Sequence, residues 1–439
     1  MQTLKNSMTT NKNNLPVEQL LESLQKENRR LASLLNVAQS LSNVMEIDEL
    51  LFRIMEVVRQ QLNADRCTVF LLDEERQELW SKLAHGLKNE IRFPVSQGIA
   101  GYVARTGETL NIKDAYADPR FNREVDKKTG YKTHNLLTMP MHNKQNKIIG
   151  VFQVLNKQSG PFTDDDEELL KAISSIAASA IENAQLYDEL NKSFVSFMET
   201  LSTTLDARDY ITSGHSRRVT LYAVQVARLM KLSKQEVELI RYSALLHDIG
   251  KLGVPEIVLF KNKKLTEEEY NIIKRHAALS RSILRKIHFQ RHLKNIPEIA
   301  ASHHEKVDGS GYPLGLKGDE IPLGGRILAV CDVFDALTSR RQYKDRMDIV
   351  QVVDILDRET GSAFEPYVVY QFKNITLNVL IEILEFGHKG DFNPDDLNLL
   401  RKYTLKDLTR ISKQGAENEE EQKALETFQF YYQRKYKGE

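Results

Sequence analysis

The residues most suited to chemistry are histidines and aspartates that cluster in the second half of the chain. Seven of them form a candidate metal-binding set: His215, His247, Asp248, His276, His303, His304 and Asp332. All of these side chains offer nitrogen or oxygen ligands and none offers a thiolate, which fits a dinuclear site for Fe, Mn or a similar first-row ion. Because a lone histidine in a helix is usually an ordinary core or surface residue, the prediction depends on the whole set.

The adjacent pair His247-Asp248 favours two ions over one. Neighbouring residues of a helix point about 100° apart, so the two side chains diverge. A carboxylate of Asp248 that bridges two ions fits this spacing better than one ion held by both residues. Two divalent ions and two aspartates leave a charge of about +2, suited to hydroxide and a phosphodiester. A shared, acidified water is the usual nucleophile in such two-metal hydrolases.

The second paired set opens the stretch HHEKVDGSGYP. We interpret His303 and His304 as ligands of the second ion, with Glu305 as an orienting neighbour. The glycines that follow let the backbone turn tightly, and Tyr312-Pro313 stiffen the turn. We therefore expect this loop to contact the substrate or a signalling protein instead of the metal ions.

Hydrophobic periodicity predicts the elements that must position these residues. Helical spacing throughout residues 193–373 predicts an all-helical domain. Upstream, CTVFLLD and ELWSKLA predict two strands joined by a polar turn, and LLTMPM and IIGVFQVLN predict two more. Residues 46–183 are thus expected to form an α+β domain with an antiparallel sheet. The predicted fold class is multidomain, with a long helical linker over residues 184–210 between the two.

The flanking segments are also predicted to be helical. Residues 1–45 contain an amphipathic helix, and residues 374–439 form a charged, mostly helical tail whose end suits disorder. Between the domains, apolar residues spaced by three and four run from Leu169 to Leu205 without a proline. This seam favours a homodimer joined through the linker helix. The alternative is a core helix followed by an ordinary connector.

Composition excludes several classes of protein. Among 439 residues, Lys+Arg and Asp+Glu both number 61, so no global positive field favours nucleic acid. No run of 18 apolar residues suggests a membrane span, and the polar N-terminus lacks the apolar core of a signal peptide. Cys67 and Cys331 lie in apolar segments, as expected of buried free thiols. We expect a cytoplasmic protein that binds neither membrane nor nucleic acid.

Three segments resemble the HD-GYP phosphodiesterases: HDIGKLGVP, HHEKVDGSGYPLGLKGDEIP and RILAVCDVFDALTSRRQYK. The resemblance covers about residues 197–373 and implies a helical HD fold, a non-haem metal centre and hydrolysis of cyclic di-GMP to pGpG or GMP. It places the metal ligands on the seven residues above, with Asp248 bridging. It also implies that Lys251 contacts phosphate or the leaving group, that Arg341 and Lys344 clamp phosphate, and that Tyr312 adds to substrate binding.

The chain departs from the family pattern at two positions. Family members that hold a third metal ion carry a glutamate four residues before the first histidine, where this chain has Ile211. We therefore expect two ions. Gln342 replaces a proline of the last motif, with a modest expected effect on the clamp. Two alternatives stay open: hydrolysis of another cyclic dinucleotide, such as cyclic GMP-AMP, and a non-catalytic, cyclic-nucleotide-sensing scaffold.

The first domain resembles the GAF domains of cyclic-nucleotide phosphodiesterases and some adenylyl cyclases. The segment NKQSGPFTDDDE contains their signature as Asn156, Lys157, Phe162, Asp166 and Glu167. The signature is interpreted as structural, with Lys157 and Asp166 pairing to hold segments that cover the ligand. The resemblance implies a bound cyclic mononucleotide. The alternative is a GAF domain that only dimerises or binds another ligand.

By the same resemblance, five residues are predicted to contact the nucleotide: Thr68, Ala100, Asp126, Thr129 and Gln153. A helix that begins near Ala100 would offer its amides to the cyclic phosphate. Cyclic AMP is favoured over cyclic GMP as the commoner bacterial messenger. We expect the linker helix to transmit binding in this domain to the helical domain.

Overall fold

The computed structural model describes residues 17–42, 46–81, 90–208, 214–261, 263–340, 345–386 and 392–434. The chain divides into two compact units, residues 1–192 and 193–439. Within the described ranges, no helix has both the length and the apolar character needed to cross a membrane. Cys67 and Cys331 are buried and free, as predicted.

In the first unit, helices precede and connect the strands of an antiparallel sheet. The helices are α1 (Val17–Ser42), α2 (Ile47–Gln61), α3 (Gly98–Thr106), α4 (Arg123–Thr129) and the start of α5 (Asp164–Arg208). The strands are β1 (Ala64–Asp73), β2 (Glu78–Ser81), β3 (Ile91–Pro94), β4 (Leu110–Ile112), β5 (Leu136–His142) and β6 (Ile148–Lys157). They lie in the order β3-β2-β1-β6-β5-β4, and β1–β2 and β5–β6 are the two predicted hairpins.

The sheet of the first unit is covered because α2 and α5 are amphipathic. Leu50, Ile54 and Val58 of α2 are fully buried, and so is Ile173 of α5. Burying each such side chain stabilises the fold by about 1.5–3 kcal/mol. The register of β1 against β6 pairs Thr68 with Gln153. The short strands β3 and β4 at the two edges were not predicted, since each has only three or four residues.

The second unit is helical, as predicted. After the end of α5, its helices are α6 (His215–Leu229), α7 (Lys234–Leu246), α8 (Glu256–Leu259), α9 (Glu267–Leu284), α10 (Ile296–Ala301), α11 (Leu323–Thr338), α12 (Ile349–Arg358), α13 (Pro366–Lys373), α14 (Leu377–Leu384), α15 (Pro394–Leu400), α16 (Leu405–Gln414) and α17 (Glu419–Gln433). Reciprocal capping boxes begin α7 at Ser233 and α9 at Thr266, which satisfies amides that the helix itself leaves unpaired.

The core of the second unit extends through the predicted tail. Leu377, Leu380 and Phe428 are fully buried together with Tyr222 and Phe334. The side chains of Arg346 and Glu385 also form a buried ion pair with a 2.6 Å separation. The described helices after residue 373 therefore share a core with the helices before it.

Candidate metal centre

Five elements of the helical unit bring the predicted ligands together. His215 begins α6, His247 and Asp248 follow α7, His276 lies in α9, His303 and His304 follow α10, and Asp332 lies in α11. Three overlapping groups could each hold a metal ion: His276, His303 and His304; His215, His247 and Asp332; and His247, Asp248 and His303. All seven predicted side chains therefore lie in one cluster.

The carboxylate of Asp248 lies between the two sides of this cluster. Its Oδ2 is 3.8 Å from Nε2 of His215 and 3.4 Å from Nε2 of His247. Its Oδ1 is 3.5 Å from Nε2 of His276 and 4.0 Å from Nε2 of His303. The two oxygens thus face different histidine pairs, which is the arrangement that a bridging carboxylate requires.

Backbone carbonyls orient three of the imidazoles. His247, His276 and His303 each place Nδ1 beside the carbonyl oxygen of the residue three positions earlier, at 2.6, 2.7 and 2.6 Å. Because a carbonyl oxygen only accepts, each Nδ1 donates, and each Nε2 is left as an electron-pair donor. Nε2 of His247 is buried without a hydrogen-bond partner among the described residues. These features fit metal ligands, whose second ring nitrogen almost always donates to such a partner.

Asp335, which the sequence analysis missed, orients His215. Its Oδ2 lies 2.8 Å from Nδ1 of His215, while Nε2 of His215 lies 3.1 Å from Oδ1 of Asp332. Asp335 is fully buried. It accepts hydrogen bonds at 2.8 and 2.9 Å from Arg218 and at 2.8 Å from the hydroxyl of Ser339. A fully paired aspartate therefore fixes the first histidine of the cluster.

The charges in the cluster differ from one side to the other. Burial disfavours the protonated form of His215, but hydrogen bonds to Asp332 and Asp335 raise its pKa to about 10. Burial lowers the pKa of His303 to about 4 and that of His304 to about 2. Burial opposes ionisation of Asp248, yet the Lys251 ammonium and neighbouring histidines keep its pKa well below the usual range. The neutral imidazoles of His303 and His304 and the ionised carboxylate of Asp248 are in the ligand forms that divalent metals need, whereas His215 would release its proton on binding a metal ion.

Gly250 allows the turn after Asp248 to lie against α9. Its amide donates to Oγ of Ser280 at 2.8 Å, and that hydroxyl donates to the carbonyl of His247 at 2.7 Å. A methyl group on Gly250 would overlap the backbone of His276 and Ser280. The two segments that carry His247 and His276 can approach this closely only because the residue is glycine.

We predict that Gly250→Ala destabilises the helical unit by about 1–3 kcal/mol, because the backbone contacted by the new methyl cannot move aside cheaply. The free energy of unfolding, measured by denaturant titration, checks this. Gly253→Ala in the same turn is the matched control, since its methyl would meet only the flexible side chain of Leu279. Equal stability of the two variants would contradict the prediction.

The Gly-Tyr-Pro loop is held against the cluster. The buried carboxylate of Glu305 accepts hydrogen bonds from the amides of Leu314 at 2.7 Å and Leu316 at 3.0 Å. Glu305 therefore orients the loop and not a histidine. The amide of Tyr312 donates to the carbonyl of His304 at 3.1 Å, and their ring centroids are 4.7 Å apart. The loop thus places an aromatic ring directly beside a candidate ligand.

The predicted phosphate-binding residues are only partly described. The ammonium of Lys251 lies 2.7 Å from Oδ2 of Asp248, at the edge of the cluster. Arg341 and Lys344 lie outside the described residues, as do Ile211 and Gln342, the two departures from the family pattern. Of the three predicted phosphate-binding cations, Lys251 is therefore the one that the structure describes, and it lies beside the cluster.

The first unit contains a cavity of about 390 Å³ beside the start of α3. Its lining includes three of the five predicted contacts, Ala100, Asp126 and Gln153, but neither Thr68 nor Thr129. The rest of the lining combines the apolar side chains of Phe70, Ile91, Phe93, Ile99, Phe121, Val125 and Leu155 with Gly98 and the polar residues Arg92, Gln97, Asn122 and Thr133. The N-cap residue of α3, Gln97, makes no side-chain cap. Helix amides of this kind are suited to binding an anion.

Two of the predicted contacts are already engaged within the protein. The carboxylate of Asp126 accepts from the amide of Thr133 at 2.7 Å, its hydroxyl at 3.0 Å and the hydroxyl of Tyr116 at 3.0 Å. The hydroxyl of Thr129 donates to the carbonyl of Val125 at 2.9 Å. Asp126 therefore ties α4 to the segment that follows it, at the wall of the cavity.

The Asn-Lys-Phe-Asp-Glu signature has structural contacts. Lys157 forms an ion pair with Asp166. Asn156 accepts from the amide of His134 at 2.6 Å and donates to the carbonyl of Lys132 at 2.8 Å. Phe162 is buried, and Glu167 accepts from the side-chain amide of Asn111 at 2.8 Å. The signature thus fastens the segment before β5 and the start of α5 to the sheet.

Comparison with known proteins matches residues 46–181 to the GAF domain family and residues 199–368 to the HD domain family. The 3'3'-cGAMP-specific phosphodiesterase 2 of Vibrio cholerae is 38% identical over 46% of this chain and 39% of its own length. The cyclic di-GMP phosphodiesterase of Thermotoga maritima is 38% identical over 43% of this chain and 51% of its own length. The probable 3',5'-cyclic phosphodiesterase pde-5 of Caenorhabditis elegans is 36% identical over 39% of this chain and 25% of its own length.

The chain spans about half or less of the length of these relatives. Its two matched regions follow each other in the order of the two units described above. The α+β unit is thus a GAF domain, and the helical unit that follows it contains an HD domain.

Proposed function

We propose that this protein is a metal-dependent phosphodiesterase that hydrolyses cyclic di-GMP to pGpG or GMP. The observation that carries the proposal is the carboxylate of Asp248, whose two oxygens face separate histidine pairs at 3.4–4.0 Å. Lys251 lies beside it with an ammonium suited to a non-bridging phosphate oxygen. Relatives named as cyclic dinucleotide phosphodiesterases support this class of substrate.

The clusters suggest how two ions, Fe or Mn, would be held. His215, His247 and Asp332 would bind one ion, and His276, His303 and His304 the other, with Asp248 shared. When bound, the ions would acidify a water molecule and offset charge on the phosphate. The protein contributes fixed imidazole orientations, through Asp335 and backbone carbonyls, and a largely buried site that excludes bulk water.

The remaining predicted residues are proposed to bind the substrate. Arg341 and Lys344 would clamp phosphate, and Tyr312 would contact the nucleotide from its position beside His304. The Gly-Tyr-Pro loop also remains the proposed contact for a signalling protein. Its anchoring by Glu305 supports a preformed recognition surface at the mouth of the site.

Product analysis on anaerobically purified protein tests the proposal. Cyclic di-GMP and 3'3'-cyclic GMP-AMP should be compared at equal concentration, with pGpG and GMP resolved by chromatography. Cyclic GMP-AMP is the second candidate substrate, because relatives from Vibrio cholerae are named as specific for it. If cyclic GMP-AMP were cleaved faster, it would be the preferred substrate in place of cyclic di-GMP. If neither were cleaved, the proposal that the protein is a phosphodiesterase would be refuted.

We further propose that the GAF domain binds a cyclic mononucleotide, with cyclic AMP favoured over cyclic GMP. The mixed aromatic and aliphatic cavity suits a purine, and the amides at the start of α3 suit a cyclic phosphate. Calorimetric titration with each nucleotide tests binding. Hydrolysis rates measured with and without the bound nucleotide test regulation, and equal rates would argue against it.

We also propose a homodimer through α5. Leu186, Leu190 and Phe197 lie at helical spacing on this helix and are 57%, 63% and 53% exposed. An apolar stripe of this kind on a solvent-facing helix is typical of a coiled-coil interface. Covering it with a second copy would remove the three large side chains from water.

We predict that Leu190→Glu converts the dimer to a monomer, because the new carboxylate would be buried without a partner. Light scattering coupled to gel filtration measures the mass. Gln185→Glu introduces the same charge at an exposed position of α5 away from the stripe and should leave the dimer intact. A wild-type monomer, or a Leu190→Glu dimer, would contradict the proposal.

A further inference from the structure

A line of alternating rings and charge leads from the candidate metal centre to the surface. The ring of Tyr312 lies 4.7 Å from that of His304, centroid to centroid. The ammonium of Lys274, on α9, lies 5.6 Å from the centroid of Tyr312 and 4.6 Å from that of Tyr270. Tyr270 is 46% exposed, so this line of contacts reaches the surface. Neither Lys274 nor Tyr270 was singled out from the sequence.

No carboxylate of the described residues forms an ion pair with Lys274. In the described part of the chain, its only polar or ring contacts are the two tyrosine faces. Other lysines near the site differ, since Lys251 pairs with Asp248 and Lys261 pairs with Glu269. A cation held over aromatic rings keeps its N–H groups available for a further acceptor.

We propose that Lys274 is a specificity-determining residue that recognises a guanine base of a cyclic dinucleotide. This inference rests on the proposed function. Guanine presents two neighbouring acceptors, O6 and N7, which lysine can bind together. Adenine replaces O6 with an amino donor, which repels an ammonium. The partly exposed ring of Tyr270 would stack on the base, a contact available to either purine.

A merely structural role for Lys274 makes a different prediction. If its ammonium only steadied Tyr312 through the cation–π contact, loss of the charge would weaken all cyclic dinucleotides equally. A general attraction for phosphate would likewise act on every substrate. Only recognition of guanine would make loss of Lys274 change the ratio of kcat/KM between a guanine and an adenine dinucleotide. That ratio is therefore the quantity to measure.

The test compares kcat/KM for cyclic di-GMP and cyclic di-AMP in the full-length, metal-loaded protein. We expect Lys274→Met to lower the ratio of kcat/KM for cyclic di-GMP over cyclic di-AMP roughly ten-fold, because only the value for cyclic di-GMP falls. Lys274→Arg should keep the preference, since arginine also binds O6 and N7. Arg275→Met removes a charge from the exposed neighbouring position and serves as the matched control. Equal losses for both substrates, or no change, would overturn the inference.

Calorimetry with non-hydrolysable phosphorothioate analogues of both dinucleotides separates this inference from the proposed function. A guanine preference in binding that depends on Lys274, without any hydrolysis, would leave the inference standing and refute the enzyme. Hydrolysis without preference for guanine in the wild type would leave the enzyme standing and refute the inference.

Discussion

Replacing Asp248 with alanine is expected to abolish hydrolysis of cyclic di-GMP, with kcat reduced about a thousand-fold or more. The carboxylate faces His215 and His247 with one oxygen and His276 and His303 with the other. Its loss would therefore weaken both proposed ion sites at once. Metal ions supply several kcal/mol of transition-state stabilisation in such reactions, and each 1.36 kcal/mol is a factor of ten in rate.

The measurements are kcat by product analysis and bound metal by elemental analysis of the purified protein. Asp248→Asn keeps the shape of the side chain and should also lose metal, because an amide cannot supply the bridging charge. Asp319→Ala is the matched control, since that aspartate is 98% exposed and its partner Arg326 keeps a second ion pair with Glu365. Full activity of Asp248→Ala would contradict the proposed site.

The same experiment decides between an enzyme and a scaffold. A wild-type protein with neither metal nor hydrolysis would leave only the scaffold alternative, in which the helical domain recruits partners. Metal bound by the wild type and lost in Asp248→Ala, without turnover of any dinucleotide, would retain the site but refute the substrate. Each result therefore excludes a different part of the proposal.

The sequence could indicate which side chains form the candidate metal centre because these residues have unusual types and spacing. Paired His247-Asp248 and His303-His304 are a poor way to build a helical core, and all lie in the cluster. The fold class was predictable for a related reason, since apolar periodicity reports which face of each element is buried. Local sequence pattern is thus sufficient to predict a residue's role where that role depends on the types and spacing of its neighbours along the chain.

Contacts between distant segments could not be predicted in the same way. The carboxylate of Glu305 was expected beside a histidine, but it accepts from the loop amides of Leu314 and Leu316. Thr68 does not line the GAF cavity although its strand partner Gln153 does, and the hydroxyl of Thr129 is bonded to the carbonyl of Val125 in its own helix. Such outcomes depend on how loops fold back over many residues, which periodicity does not encode.

The role of Asp335 depends both on local spacing, which the sequence gives, and on contacts with a distant segment, which it does not. It lies three residues after Asp332 in α11, so the sequence does place the two carboxylates on neighbouring positions of one helix face. What the sequence cannot give is the approach of His215 and Arg218 from α6, more than a hundred residues away. The i, i+3 spacing was the one available signal for this residue.

Asp335→Ala is expected to weaken metal binding about 10–100-fold, because His215 loses the acceptor that fixes its ring. It should also destabilise the protein by about 3–5 kcal/mol, since the largely buried guanidinium of Arg218 would lose its carboxylate. Manganese affinity by calorimetry and unfolding by denaturant titration measure the two effects separately.

A double variant, Arg218→Leu with Asp335→Leu, distinguishes positioning from folding. Replacing both members of a buried ion pair with apolar side chains often restores stability. Metal affinity should nevertheless stay low, because leucine cannot accept the hydrogen bond from Nδ1 of His215. If metal affinity returned with stability, Asp335 would be only a counter-ion for Arg218. If metal affinity stayed low in a double variant as stable as the wild type, a loss of stability could not explain the weak binding. The lost orientation of His215 by Asp335 would then be its cause.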